Sequence, residues 1–153
     1  MARCNSLLAG APKLLLDRLQ SVLNSAARLV CNRRKYDHVT PLLRDVLHWL
    51  PVQYRIDHKL ALLVYKSLHG MAPEYLRAYC IGVSSSRSEP SLRSEARGDL
   101  KVRKSKTCFG DRAFSVAGPR CWNNLPPSIR SATSLESFKS RLKTHYFKLA
   151  YPD

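Results

Sequence analysis

Nine cations stand in three places along the sequence: Arg33, Arg34 and Lys35; Arg55 and Lys59; and Lys101, Arg103, Lys104 and Lys106. Arginine offers a planar fork of donors and lysine a mobile point charge, so both bind anionic oxygens, phosphate above all. Contact of this kind with a polynucleotide backbone needs charge and shape and no base-reading groups. Each cluster also has a purely structural explanation. Cations after the last apolar position of a helix stabilise its macrodipole by about 0.3–1 kcal/mol each, which accounts equally well for Arg33, Arg34 and Lys35. Lysines on an edge strand block edge-to-edge pairing, which would account for the strip from Lys101 to Lys106.

Residues that would carry catalysis are harder to find. The chain has no phosphate-cradling GxxxxGK[ST], no GxSxG elbow, no HExxH and no aspartate pair of the kind that holds two magnesium ions. Its acidic residues stand singly, as Asp17, Asp37, Asp45 and Asp57 do. No catalytic residue, metal ligand or cofactor is therefore expected. His48 and His58 have no partner at metal-ligand spacing. Cys4, Cys31, Cys80, Cys108 and Cys121 are odd in number and scattered, which suggests neither a disulfide framework nor a zinc module and points to a reducing intracellular compartment, cytoplasm or nucleus.

The balance of 26 Lys plus Arg against 11 Asp plus Glu leaves a formal charge of +15. An excess of this size favours association with nucleic acid or an anionic surface. No apolar run approaches the roughly 18 residues of a spanning helix, so no membrane partner is expected. The Leu7-Leu8-Ala9-Gly10-Ala11 stretch is too short for a secretory signal.

The elements that would position these residues are mainly helical. After Pro12, Leu15, Leu19, Val22, Ala26 and Leu29 recur at heptad-like spacing, with Asp17, Gln20, Asn24 and Arg28 opposite, which predicts an amphipathic helix of about five turns. Thr40 and Pro41 read as N-cap and first turn of a short helix through Leu42, Leu43, Val46 and Leu47. Pro51 and Gly70 then bound a core helix whose apolar face is Val52, Ile56, Leu60, Leu63 and Val64, with Arg55, Lys59 and Lys66 away from it. Trp49, flanked by Leu47, Leu50 and Val52, reads as a core anchor. Pro73 and Glu74 restart a short helix carrying Tyr75, Leu76 and Tyr79.

Composition shifts after residue 81. Residues 82–98 are rich in Ser, Arg, Glu and Gly and read as a flexible linker, in which the Ser84–Ser88 run is a solvated spacer. The alternation from Asp99 to Lys106 predicts a short edge strand, and Phe109 to Ala117 a second strand turned by Gly110, together a hairpin-like segment. Gly118-Pro119 and Pro126-Pro127 bracket Trp122 in what reads as an irregular segment. Thr133 and Glu136 form a capping box for a last helix with a stripe of Leu135, Phe138, Leu142, Tyr146 and Leu149, and Lys139, Arg141, Lys143 and Lys148 load its other faces. The expected organisation is thus a helical bundle over 1–81, the linker over 82–98, and short strands plus an amphipathic helix over 99–153.

Many short motifs in one order carry a family resemblance. Cys4-Asn5-Ser6-Leu7-Leu8-Ala9-Gly10, Asn24-Ser25-Ala26-Ala27-Arg28-Leu29-Val30, Leu47-His48-Trp49-Leu50-Pro51-Val52, Tyr65-Lys66-Ser67-Leu68-His69-Gly70-Met71-Ala72-Pro73, Phe109-Gly110-Asp111-Arg112-Ala113-Phe114 and Trp122-Asn123-Asn124-Leu125-Pro126 are among them. From Cys4 to about residue 147 the chain resembles the segment just beyond the polymerase palm in non-long-terminal-repeat (LINE-type) retrotransposon reverse transcriptases, its thumb and C-terminal tail. The family's metal-binding aspartates and endonuclease domain lie upstream of that segment.

The resemblance implies a thumb-like helical bundle and a non-catalytic fragment of an RNA-directed DNA polymerase. What carries over is the thumb's grip on the template and product duplex by its backbone, nonspecific for RNA or DNA sequence, with the nine cations as contacts. It also allows a full-length element's reverse transcriptase as a partner. The alternative is an orphaned structural or protein-interaction fragment, a pseudogene product with no activity of its own, in which the apolar stripe of the first helix is exposed and sticky.

Overall fold

A computed structural model describes residues 5–83 and 98–152, and over these the chain is mainly helical. Residues 84–97, most of the expected linker with its serine run, lie outside the described residues. After a 3-10 turn at Asn5–Leu8 come α1 (Lys13–Val30), a wide π-type turn at Leu42–Val46, α2 (Val52–Leu68) and α3 (Glu74–Arg77). A 3-10 turn at Gly110–Arg112 then leads into α4 (Phe114–Asn123), α5 (Pro127–Arg130) and α6 (Leu135–Ala150).

α2 is the hub, packed against α1, α3, α4 and α6. Ile56, Leu60, Ala61, Val64 and Tyr65 are buried along it, continuing the periodic apolar face, while Val52 and Leu63 are half-buried at its edges. Its end follows the expected cap. Gly70, at φ 71°, lets the Met71 N–H reach back to the Lys66 carbonyl at 2.8 Å, and only glycine adopts that φ without strain. At the start, Pro51 occupies the cap position and Val52 the first helical one.

α1 ends in the same way with an asparagine. Asn32 at φ 50° lets the Arg33 N–H donate to the Arg28 carbonyl at 2.8 Å. The packed face of α1 overlaps the expected one only in part. Ala27 is buried and Leu16, Leu19, Gln20, Leu23, Asn24 and Ala26 are half-buried, so Leu19 and Ala26 of the expected stripe are on it, whereas Val22 is 67% and Leu29 81% exposed, and Leu15 is exposed too. At 100° per residue the apolar arc of α1 is wide enough for two neighbouring stripes, and the core takes the one that includes the polar Gln20 and Asn24. The reason is a hydrogen bond: the Gln20 amide oxygen accepts the Val52 N–H at 2.9 Å and its Nε2 donates to Asn24 Oδ1 at 2.8 Å.

The expected hairpin over 99–117 does not form. Leu100 is buried as the alternation requires, but its backbone N–H and carbonyl are both taken by the side-chain amide of Asn123 on α4, at 2.8 Å each. Asn123 thus substitutes for a partner strand. A single antiparallel bridge to Gly82, the Trp122 indole N–H on the Gly98 carbonyl at 3.3 Å and the Arg130–Asp99 ion pair at 2.7 Å complete the anchorage. The second expected strand is instead a 3-10 turn followed by α4, whose Phe114, Val116, Ala117 and Cys121 pack at helical spacing.

Trp122 lies inside α4 and not in an irregular segment, and it is the tryptophan of the core at 3% exposure. Gly118 lets α4 approach α2 closely: a Cβ there would meet Phe114 Cε2 at 2.9 Å and Val64 Cγ2 at 3.2 Å. Tyr65 stacks on Phe138 of α6 at 4.2 Å and donates its hydroxyl to the Ala132 carbonyl at 3.1 Å, so one buried cluster runs from α2 through α4 to α6. On α6 the stripe closes the core through Phe138, Leu142 and Tyr146, with Leu149 exposed. Its cap is Ser134, whose hydroxyl accepts the Ser137 N–H at 3.2 Å; Glu136 pairs with Lys139 instead of completing a box with Thr133.

Candidate functional site

The nine cations fall in three settings. Arg33, Arg34 and Lys35 are exposed beyond the end of α1, where the Asp37 carboxylate caps the Arg34 backbone N–H at 3.0 Å and Lys35 lies over the Tyr36 ring at 5.6 Å. Lys101, Arg103, Lys104 and Lys106 are exposed on the non-helical stretch before the 3-10 turn, with the Arg103 guanidinium over the Tyr79 ring at 4.9 Å. Among the described residues, none of the nine is in an ion pair.

Arg55 and Lys59 are brought together differently. They are half-buried on the wall of a cleft between α2 and α6, roofed by the turn that carries His48 and Trp49. His48 itself sits at φ 48°, a left-handed conformation that His adopts more readily than most side chains, and its ring lies 6.1 Å from Phe147 of α6. The turn leaves Trp49 half-exposed and outside both buried clusters, so the expected core anchor is a cleft wall.

Arg55 stacks on Trp49 with its guanidinium 5.3 Å from the ring centroid, and its Nε donates to the Leu50 carbonyl at 2.7 Å. Two contacts therefore hold the fork in place, and its Nη groups make no hydrogen bond to a described residue. Partial burial lowers the pKa of Arg55, with the neighbouring Tyr151 acting in the opposite sense.

The cleft consists of two adjoining cavities of about 350 and 370 Å³ that share His48 and Lys143. The first takes in Arg55, His58 and Lys59; the second adds Phe147 and Lys148. Among the described residues, no carboxylate lines either. Lys143 and Lys148 are the residues that sequence reasoning passed over: they appear as general charge on the last helix, and only the docking of α6 beside α2 sets Lys143 opposite Lys59. His58 beside them has its pKa lowered by burial first and then by the charges of Lys143 and Lys59.

A third cavity, of about 390 Å³, is lined by Asp57, Cys108, Asp111 and Cys121 among others. Burial pushes the Cys121 thiol up to about 11, and its Sγ donates to the Asp57 carbonyl at 3.4 Å. It is held as a thiol, and a thiol is a weak nucleophile and metal ligand. Among the described residues no group of three or more His, Cys, Asp or Glu is placed to hold a metal ion. Likewise, no described helix is long and apolar enough to cross a membrane.

Fold and surface together define a mainly helical, strongly basic protein with a cation-lined cleft. No family model, no curated protein and no solved structure matches the chain.

Proposed function

We propose that this chain is a non-catalytic segment of a LINE-type retrotransposon reverse transcriptase, its thumb and tail, and that it holds RNA or DNA by the backbone without reading sequence. The observation that carries the binding role is that Arg33, Arg34, Lys35, Arg55, Lys59, Lys101, Arg103, Lys104 and Lys106 stand at or near the surface, with no ion pair to a described carboxylate. Cations left in that state are what counterion release from a polyanion requires. The ordered run of family-like motifs supports the assignment of origin. The helical hub around α2 agrees with a thumb-like bundle.

Titrating labelled RNA and duplex DNA against the full chain tests the reading. With six to ten phosphates engaged, affinity falls by about 10³–10⁵ between about 50 and 200 mM salt. A flat salt response, or no binding at the lower salt, overturns it.

One observation favours a second reading, an interaction fragment without activity. Leu15, Val22 and Leu29 recur every seven residues on α1 and are exposed. A stripe of this kind suits a protein partner better than water.

A further inference from the structure

We propose that the cleft between α2 and α6 takes an unpaired stretch of polynucleotide, its phosphates between Arg55, Lys59 and Lys143 and a base against Phe147 beside His48. This rests on the nucleic-acid reading above and narrows it from any backbone to a single strand.

Three features of the cleft carry the inference. The first is an excess of positive charge: Arg55, Lys59, Lys143 and Lys148 line two adjoining cavities, and among the described residues no carboxylate lines either. Like charges on facing helices repel, and an anion seated between them relieves that repulsion. His58, next to Lys59 in sequence and near Tyr146 of α6, has its pKa lowered by burial first and then by the charges of Lys143 and Lys59.

The second feature is preorganisation. The Arg55 fork is fixed by the Trp49 ring and the Leu50 carbonyl while its Nη groups make no hydrogen bond to a described residue, so little side-chain freedom is lost when an anion arrives.

The third is the character and shape of the walls. Trp49, Leu50 and Leu62 beside the cations, and Phe147 across from His48, give apolar and aromatic surface next to each phosphate site. Alternating cationic and aromatic surface along a groove is the physics of single-strand binding, where bases stack on rings and phosphates follow the charge. A double helix keeps its bases stacked inside a convex rod. It could touch Lys148 at the rim, but it would fill neither cavity. Cavities of about 350 and 370 Å³ are of a size for one small ligand group apiece, such as a base or a sugar phosphate.

The experiment compares an oligothymidylate of about 16 nucleotides with a duplex of the same length, each fluorescently labelled, against the full chain at low salt. Three variants are used: Lys59→Gln with Lys143→Gln, Phe147→Leu, and Lys101→Gln with Arg103→Gln and Lys104→Gln. The double cleft variant is expected to lose about tenfold or more in single-strand affinity, with the salt slope reduced by about 1.4, and to change duplex affinity by less than about twofold. Phe147→Leu is expected to lose about fivefold or more for the single strand with no change of slope, because stacking releases no counterions. Circular dichroism confirms that each variant is folded. Equal losses for strand and duplex, or single-strand binding that only the Lys101 variant weakens, overturn the cleft assignment and leave the wider reading standing. No binding of either probe by the unaltered chain overturns both.

Discussion

The side-chain oxygen of Gln20 accepts the backbone N–H of Val52 at 2.9 Å, so a residue of α1 caps the helix on which the core is built. The first N–H groups of a helix lack intrahelical partners, and the cap residue here is Pro51, which has no side-chain acceptor. Gln20 supplies from 32 residues away what a local serine or aspartate would usually supply. Replacing it with Leu keeps apolar bulk and removes the acceptor. Urea denaturation of Gln20→Leu is expected to show a loss of about 1 kcal/mol, in the range of a lost N-cap. Unchanged stability would mean that water caps Val52 equally well.

Gly118 is the second test of the hub. A methyl group there would meet Phe114 at 2.9 Å and Val64 at 3.2 Å, closer than unstrained carbon contacts allow. Alanine favours the helix by about 1 kcal/mol over glycine, so the two effects oppose. Overpacking of a tight core costs about 1–3 kcal/mol, and Gly118→Ala is expected to be net destabilising in thermal melts. In a double-mutant cycle, Gly118→Ala should cost less in a Val64→Ala background than in the unaltered chain, because one of the two clashes is gone.

The acid limb of stability should carry the signature of His58. Its folded pKa lies below the ordinary 6.5, from burial first and then from Lys143 and Lys59. At pH well above 6.5 both folded and unfolded chains hold it neutral, and it adds no pH dependence. As pH falls through the unfolded value, the unfolded chain takes up a proton that the folded one refuses, and stability declines until the folded imidazole is protonated as well. His145 adds a contribution of the same sign from burial. Denaturation midpoints measured from pH 7.5 downward are expected to fall less steeply in His58→Gln than in the unaltered chain. Parallel profiles would sink this assignment.

The exposed stripe of α1 yields a prediction about association. Val22→Lys and Leu29→Lys touch solvent-facing positions and should each change folding stability by no more than about 0.5 kcal/mol. If the stripe is sticky, the unaltered chain will elute from a sizing column as a concentration-dependent oligomer and the double variant as a monomer. A compact monomer at every concentration would remove support for an interaction fragment.

The sequence by itself determined the helices that carry their own signals. The span of α2, bounded by Pro51 and closed by Gly70, and the buried stripe of α6 were legible because periodicity and capping are local properties. Choices between equivalent local options were not. Either tryptophan could have entered the core, and packing chose Trp122 because Gly118 draws α4 onto α2, while the left-handed turn at His48 leaves Trp49 on a cleft wall. Either stripe of α1 could have been buried, and the hydrogen bond from Val52 to Gln20 selects the more polar one. A strand was expected at Leu100, but on one side it finds only the bridge to Gly82 and on the other the amide of Asn123, 23 residues away. The cleft is the clearest case. Arg55 and Lys59 were visible as cations, but Lys143 lies more than 80 residues further on, and only the tertiary fold sets the two lysines on one cleft with no described carboxylate lining it.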